Sequence, residues 1–291
     1  MARIHSALKE AAHLLADSSD SATLDAEVLL CLVLDKERSH LRAWPDKELL
    51  PEQLARFWAL IRERQNGTPI AYITGNREFW SRNFHVTPDV LIPRPDTELL
   101  IELSLKLIPE NKPLKIIDLG TGSGIIAITL ALECPQAQVS ATDLSMTALR
   151  IAQLNAKRHG TDHIQFHQSN WLADVPDAKF NIIISNPPYI AEDDCHLIQG
   201  DLRFEPQSAL RACDQGLSDI KIIIDTARNY LELGGHLLIE HGYDQHYPVQ
   251  GIFKTFHYDK VQTITDLSGQ PRVTYGQWIN NAGSNISHLE P

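Results

Sequence analysis

From about residue 96 onward, short apolar or β-branched runs alternate with stretches of helical spacing, and that rhythm restricts the fold more than any other feature. Leu114–Leu119, Gln138–Thr142, His163–His167, Phe180–Ser185 and His236–Glu240 have the length and composition of buried strands. Helical segments fall between them, around 124–133, 145–158 and 217–232. Parallel neighbours need a long crossover, so strands separated by helices imply a mostly parallel sheet covered on both faces. Val261–Asp266 and Arg272–Trp278 are joined only by Leu267-Ser268-Gly269-Gln270-Pro271, too short for a helix, and are expected as a terminal antiparallel pair. The expected architecture is α/β and Rossmann-like, with seven strands.

The region before residue 96 has a different character. Ile4, Ala7, Leu8, Ala11, Ala12, Leu14 and Leu15 recur at helical intervals up to a break at Asp17–Ser21. Thr23 is a candidate cap for a second helix with Ala26, Leu29, Leu30 and Val33 on its apolar face. Pro51 is placed like a first-turn proline ahead of Leu54, Phe57, Trp58 and Ile61. Residues 1–75 therefore read as a helical bundle. Glu78-Phe79-Trp80 and Phe84-His85-Val86 flank a polar tip, a β-hairpin pattern, and Pro88, Pro93 and Pro95 stiffen the chain beyond it. Residues 76–95 are expected as a hairpin and linker, 96–278 as the main domain, and 279–291 as a polar tail. Asn285-Ile286-Ser287 in that tail matches a glycosylation acceptor, read here as a chance match because no export signal accompanies it.

A net charge of −11, from 37 acidic and 26 basic residues, argues against phosphate-dominated nucleic-acid binding and suits a basic protein partner. The four cysteines, Cys31, Cys134, Cys195 and Cys213, form no CxxC pair, which suits reduced thiols in a cytoplasm. No run approaches the roughly 18 apolar residues of a membrane span.

Ile116-Ile117-Asp118-Leu119-Gly120-Thr121-Gly122-Ser123-Gly124 carries a buried strand into a helix through glycines that permit a tight turn and close ligand approach. A ligand-free turn and a dinucleotide site are both compatible with such a loop. The G-x-G-x-G spacing departs from the dinucleotide fingerprint, however, and Asp143 closes the next strand about 20 residues on, where a carboxylate accepts from ribose hydroxyls. Those two details favour S-adenosylmethionine. Asp143 is alternatively a helix cap for Ser145–Asn155. Asn170 and Trp171 follow the third strand, where an adenine would lie; Trp171 is equally readable as core.

The most specific feature is Asn186-Pro187-Pro188-Tyr189 directly after a strand. Two prolines end a ladder, so a stiff turn is the plain reading. It leaves the flanking asparagine and tyrosine unexplained. An amide nitrogen is a poor nucleophile because its lone pair is delocalised, and fixing both N–H bonds turns that pair toward an electrophile. The Asn186 side-chain oxygen and the Pro187 carbonyl are two acceptors on a rigid frame, and Tyr189 can pack on the amide plane. The motif points to methylation of a planar NH₂ group.

With these residues in view the chain resembles the HemK/PrmC family, the peptide chain release factor glutamine methyltransferases, over about residues 1–278. The likeness rests on DLGTGSG (118–124), Asp143 and NPPY (186–189), and more discriminatingly on GTPIAYITGNREFW (67–80), VLIPRPDTE (90–98), RFEPQSAL (203–210) and DAEVLL (25–30). It implies a class I S-adenosylmethionine-dependent methyltransferase fold behind an N-terminal helical substrate-recognition domain. It implies that Gly120, Thr121, Gly122, Ser123, Gly124, Asp143, Asn170, Trp171 and Asn186 bind S-adenosylmethionine. Asn186, Pro187, Pro188 and Tyr189 would hold the substrate, with Asn186, Pro187 and Tyr189 catalytic. The substrate implied is the glutamine of the Gly-Gly-Gln motif of class I release factors, methylated at N5 by a cytoplasmic monomer that engages neither membrane nor nucleic acid directly. Asn170 departs from the aspartate expected in many members.

Two other functions share parts of this pattern. A nucleic-acid amino methyltransferase would need a basic groove and a flipped base, and a non-catalytic adaptor would not need intact glycines, Asp143 and NPPY. No metal site is expected. His159, His163 and His167 are four apart, but Gly160 interrupts the first interval and a strand spreads the second over roughly 13 Å. His236 and His241 flank the fifth strand within possible reach of a ligand, and Arg94 is expected to pair with a carboxylate rather than act in catalysis.

Overall fold

The computed structural model describes residues 2–108, 114–176 and 178–279. The tail beyond Ile279, including the Asn285-Ile286-Ser287 sequence, lies outside the described residues. The chain forms two compact units, one of residues up to Asn76 together with Ile198–Phe204, the other of Arg77–Leu197 and the chain from Glu205 onward.

The first unit contains α1 (Ile4–Leu15), α2 (Ala22–Leu34), α3 (Arg38–Ala43), α4 (Pro51–Gln65) and α5 (Ile70–Thr74). Ile4, Ala7, Ala11 and Leu15 repeat at helical spacing and meet Ala26, Leu29, Leu30, Phe57 and Ile61 in one apolar core. Pro51 opens α4 in its first turn, where its missing N–H has no helical partner to lose. The second helix begins one residue after Ser21 rather than at a Thr23 cap. The reason lies two residues further on. Asp25 is buried, and it accepts from the hydroxyls of Ser19 at 2.7 Å and Ser21 at 2.9 Å and from Arg64 Nε at 2.7 Å. Arg64 also reaches Asp201 Oδ1 at 3.3 Å, so the Ile198–Phe204 segment joins this unit through a guanidinium shared by two carboxylates.

In the second unit, the hairpin β1 (Asn76–Phe79) and β2 (Arg82–His85) precedes α6 (Glu98–Leu107). Next come β3 (Lys115–Leu119), α7 (Ile125–Glu133), β4 (Gln138–Asp143), α8 (Met146–His159), β5 (Gln165–Gln168) and β6 (Phe180–Ser185). A two-residue pair, β7 (Ile190–Ala191) with β8 (Arg211–Ala212), leads into α9 (Cys213–Gly216), a single turn in which Asp214 and Gln215 are left-handed. The chain closes with α10 (Ser218–Ala227), β9 (Leu231–Glu240), α11 (His246–Thr255), β10 (Asp259–Thr265) and β11 (Pro271–Gln277).

The main sheet has seven strands in the order β10-β11-β9-β6-β3-β4-β5. Pairing is parallel from β9 through β5, and β11 is antiparallel to both of its neighbours. Side chains alternate across it as the pleat requires. Ile116, Ile182, Ile184 and Leu238 face a core shared with α6 and α7, whereas Ile117, Ile183, Leu237 and Ile239 face one shared with α10 and α11. The hairpin contributes Phe79 and Phe84 to the first of these cores. Asn155 of α8 ties it down further, bonding the His85 amide and carbonyl at 2.8 and 2.9 Å and the Ser123 carbonyl at 2.8 Å.

Two expectations need correction. The helical reading of 217–232 runs too far, since α10 stops at Ala227 and Leu231 already pairs with Phe180. Helix α11, which contains Pro248 and Gly251, was not among the expected elements. Pro248 occupies its first turn, where proline is tolerated, and Val249 and Phe253, four apart, are fully buried against the sheet. Among the described residues no helix is long and apolar enough to cross a membrane.

Phe84→Ala should lower the unfolding free energy by about 3–5 kcal/mol, because a fully buried ring leaves a cavity. Leu233→Ala, at a position 70% exposed, should change it by less than about 0.5 kcal/mol. Urea titration of the two variants beside the parent checks both values.

Candidate active site

The ends of β3, β4 and β6 are level. Leu119 is paired with Thr142 on one side and with Ser185 on the other, so Gly120, Asp143 and Asn186 leave the sheet at one edge. This is the carboxyl edge at the point where the strand order reverses, the position where open α/β sheets hold ligands. A cleft of about 470 Å³ opens there. It is lined by Gly120, Gly122, Asp143, Asn170, Trp171, Asn186 and Pro188, and across from them by Pro88–Leu91 and Pro206, Ser208 and Ala209.

The glycine turn divides its labour. Gly120 and Gly122 have left-handed φ of 72° and 55° and face the cleft. Gly124 does not line it; a Cβ there would come within 2.9 Å of Ile128 and 3.1 Å of Ala152, so this glycine allows α7 and α8 to pack closely. Thr121 and Ser123 are buried and do not line the cleft either. The Thr121 hydroxyl donates to Asp118 Oδ2 at 2.6 Å, and its amide donates to the Thr142 carbonyl at 2.8 Å.

Asp118 had no role assigned from sequence. It is fully buried at the end of β3, and Oδ2 also accepts the Ala127 amide in the first turn of α7 at 3.2 Å. That satisfies one of the amides a helix start leaves unpaired. Burial pushes its pKa up to about 7, against the pull of Thr121 and Ala127, and the nearby Asp143 charge adds to the rise. A charged residue inside an otherwise apolar strand was the available signal.

Asp143 accepts the Ser145 amide on Oδ1 at 2.8 Å and the Gly122 amide on Oδ2 at 2.9 Å. The cap of α8 is Ser145, whose hydroxyl accepts from the Ala148 amide at 3.2 Å. Of the two readings of Asp143, helix capping thus falls to its neighbour. Each Asp143 oxygen keeps acceptor capacity toward the cleft. Its pKa is raised by burial and restrained by these amides. Trp171 combines both of its readings, since it packs on the second core and also lines the cleft. Its ring covers Gly120, where a Cβ would approach within 3.1 Å, and its indole faces Asp219, another cleft residue that sequence reasoning missed. Asn170 is exposed at the rim.

The four residues after β6 are held from below. Asn186 Nδ2 donates to Thr97 Oγ1 at 3.2 Å. Tyr189 donates its hydroxyl to Glu240 Oε1 at 3.3 Å, and its carbonyl accepts from Gln245 Nε2 at 2.9 Å. Asn186 and Pro188 line the cleft, whereas Pro187 and Tyr189 are not among its lining residues. Glu240 is buried, and desolvation raises its pKa to about 7 against the opposing effects of Thr97 and Arg272. Tyr189 is shifted upward for the same reason, with the Glu240 charge adding to it. Arg94 pairs with buried Glu205, which also accepts the Ile92 amide at 3.0 Å; this joins the two segments that form the far wall of the cleft. His236 and His241 do not line the cleft. His241 is buried against Thr274 with its pKa lowered to about 4, chiefly by burial. His159 binds the Asn83 carbonyl at 3.0 Å and stacks on Phe84.

A mostly parallel seven-stranded sheet with β11 alone reversed, and a glycine-turn cleft at its carboxyl edge, define a class I methyltransferase fold. Solved structures share it. The hMettl16 catalytic domain in complex with an RNA hairpin superposes with a TM-score of 0.55 at 14% identity, covering 83% of this chain and 85% of that one. A methyltransferase from Pyrococcus furiosus gives 0.52 at 14%, covering 75% and 98%. Residues 6–75 match the PrmC N-terminal domain, and residues 96–201 match the methyltransferase small domain. Release factor glutamine methyltransferases from Vibrio cholerae, Shewanella oneidensis and Escherichia coli are 49%, 45% and 44% identical to it. They cover 94%, 92% and 90% of this chain and 96%, 94% and 94% of their own lengths. The chain belongs to the release factor glutamine methyltransferases.

Buried Asp118 gives a test that does not depend on substrate. The folded protein keeps its proton up to about pH 7, whereas an ordinary aspartate loses it near 3.8. The folded state therefore binds the extra proton between those values, and the stability this supplies fades as pH rises through 7. Asp118→Asn should flatten the decline in unfolding free energy between pH 5 and pH 8 by roughly 1–3 kcal/mol, as read from denaturant titrations across that range.

Proposed function

We propose that the chain transfers a methyl group from S-adenosylmethionine to N5 of the glutamine in the Gly-Gly-Gln motif of class I release factors, in support of translation termination. The observation that carries this reading is Asn186 at the end of β6, on the cleft, with its carboxamide nitrogen tied to Thr97 and its oxygen left to accept from an NH₂ group. Membership of the family supports the substrate.

The cleft fits the methyl donor. Its volume lies in the range of about 300–1,000 Å³ common for small-molecule sites, glycines 120 and 122 leave the floor open, and the Asp143 carboxylate retains acceptor capacity for a ribose. Gly120, Gly122, Asp143, Asn170 and Trp171 would hold it. Bound there, the donor supplies an electrophilic methyl group on a sulfonium.

The chain's own residues then act chiefly by orientation. Asn186 Oδ1 accepts one N–H of the substrate amide; for the other the reading takes the Pro187 carbonyl, although Pro187 itself is buried beside the cleft and does not line it. With both fixed, the nitrogen lone pair is directed at the methyl group, and the same two oxygens stabilise positive charge as it develops. The N-methylated amide cation is strongly acidic and releases its proton to water or a carbonyl without a dedicated base. Thr121 and Gly124 serve this scheme as the frame of the glycine turn. The reading takes a single copy acting in the cytoplasm on a protein; the net charge of −11 favours a basic protein surface over a nucleic acid.

Labelled S-adenosylmethionine, purified release factor and peptide mapping test the reading directly. Label on the Gly-Gly-Gln glutamine is expected; label found instead on DNA or a ribosomal protein would overturn the substrate. Asn186→Ala should lower kcat by about 100-fold or more with the fold intact. Asp143→Ala should weaken binding of the methyl donor by about 10-fold or more in calorimetry, the equivalent of one charge-assisted hydrogen bond.

A further inference from the structure

Glu240 follows Ile239, and Asn186 follows Ser185, which pairs with Ile239 across the parallel β6 and β9 strands. The register therefore brings a buried carboxyl beside the motif that receives the substrate amide. Its Oε1 takes the Tyr189 hydroxyl at 3.3 Å. The Thr97 hydroxyl faces the same carboxyl and favours its ionised form, although Oε2 itself meets no partner in ordinary hydrogen-bond geometry. Thr97 in turn receives Asn186 Nδ2 at 3.2 Å. Arg272, Asp96 and Tyr189 are the charged and titratable groups that face Glu240 from β11, the turn before α6 and the loop after β6.

A threonine hydroxyl carries one proton. When that proton is directed at Glu240, the oxygen can only accept from Asn186, so the carboxamide must turn its NH₂ to Thr97 and its oxygen to the cleft. Without the carboxyl, the hydroxyl is free to donate to Asn186 Oδ1. The carboxamide can then flip and present NH₂ to an incoming NH₂, two donors face to face. We propose that Glu240 is a positioning residue for methyl transfer: through Thr97 it fixes which end of the Asn186 carboxamide meets the substrate, and it anchors Tyr189 at the other end of the motif directly. Gln245 completes the hold by binding the Tyr189 carbonyl, and Gly216 leaves room for that carbonyl where any side chain would collide with it.

The inference rests on the reading of Asn186–Tyr189 as the substrate amide site. Steady-state methylation of release factor by the full chain tests it, with the parent enzyme in the same assay. Glu240→Ala should lower kcat by about 100-fold with KM for S-adenosylmethionine changed by less than about 3-fold. Glu240→Gln keeps a neutral acceptor and should recover kcat to within about 10-fold of the parent. Thr97→Val should itself lower kcat, and Glu240→Gln placed on it, which keeps an acceptor for the Tyr189 hydroxyl, should cost little more, because the path to Asn186 is already cut. Effects of Thr97→Val and Glu240→Gln that multiply independently, or a Glu240→Ala enzyme with normal kcat, would overturn the inference. If Glu240→Ala does not fold, the Thr97→Val and Glu240→Gln pair carries the same test. A parent enzyme that leaves the glutamine unmodified would instead sink the substrate reading.

Discussion

The level ending of parallel strands is the constraint on which the rest of the second unit depends. Backbone hydrogen bonds fix Leu119 beside Thr142 and Ser185, and Ser185 beside Ile239. A slip of one residue would turn each strand's apolar set to the opposite face. Two filled cores, with Ile182 and Ile184 on one side and Ile183 on the other, hold the register against that slip. The same register delivers Gly120, Asp143, Asn186 and Glu240 to one edge. Chemistry at the cleft is thus positioned by the hydrophobic pattern beneath it.

At that edge the fold accepts polar groups that a purely stable core would avoid. Asp118 and Glu240 are both buried, both have pKa values pushed up to about 7, and each has one oxygen without a partner in ordinary hydrogen-bond geometry. Burying a carboxyl costs free energy, and that cost is what pushes both values up. In return Asp118 joins the glycine turn to α7, and Glu240 meets the substrate motif at Tyr189, with the Thr97 hydroxyl facing it. The helical unit uses a different solution. There Asp25 and Arg64 neutralise one another within a shell of two serine hydroxyls and two backbone carbonyls, so that each buried charge has partners.

Local pattern made much of this legible. The strands at 138–142 and 180–185, the glycine turn, the first-turn proline of α4 and the closing antiparallel pair all derive from periodicity, chain stereochemistry and connection length. These depend on residues close in sequence, where one backbone conformation satisfies the whole segment. Helix α11 was obscured because proline and glycine lower local propensity, and the burial of Val249 and Phe253 outweighs that only in the folded sheet.

A parallel sheet carrying a glycine turn, an acidic strand end and an Asn-Pro-Pro-Tyr turn could be read before any packing was known, since each is written in adjacent residues. What those residues touch came only with the folded chain. It turned the Thr121 hydroxyl onto Asp118, gave the cap of α8 to Ser145, and placed Thr97, 89 residues away, beneath Asn186. It also brought Glu240 to Tyr189 across 51 residues. Side-chain partners at such separations are set by strand register and by the desolvation that accompanies burial. Neither quantity exists until the chain has packed.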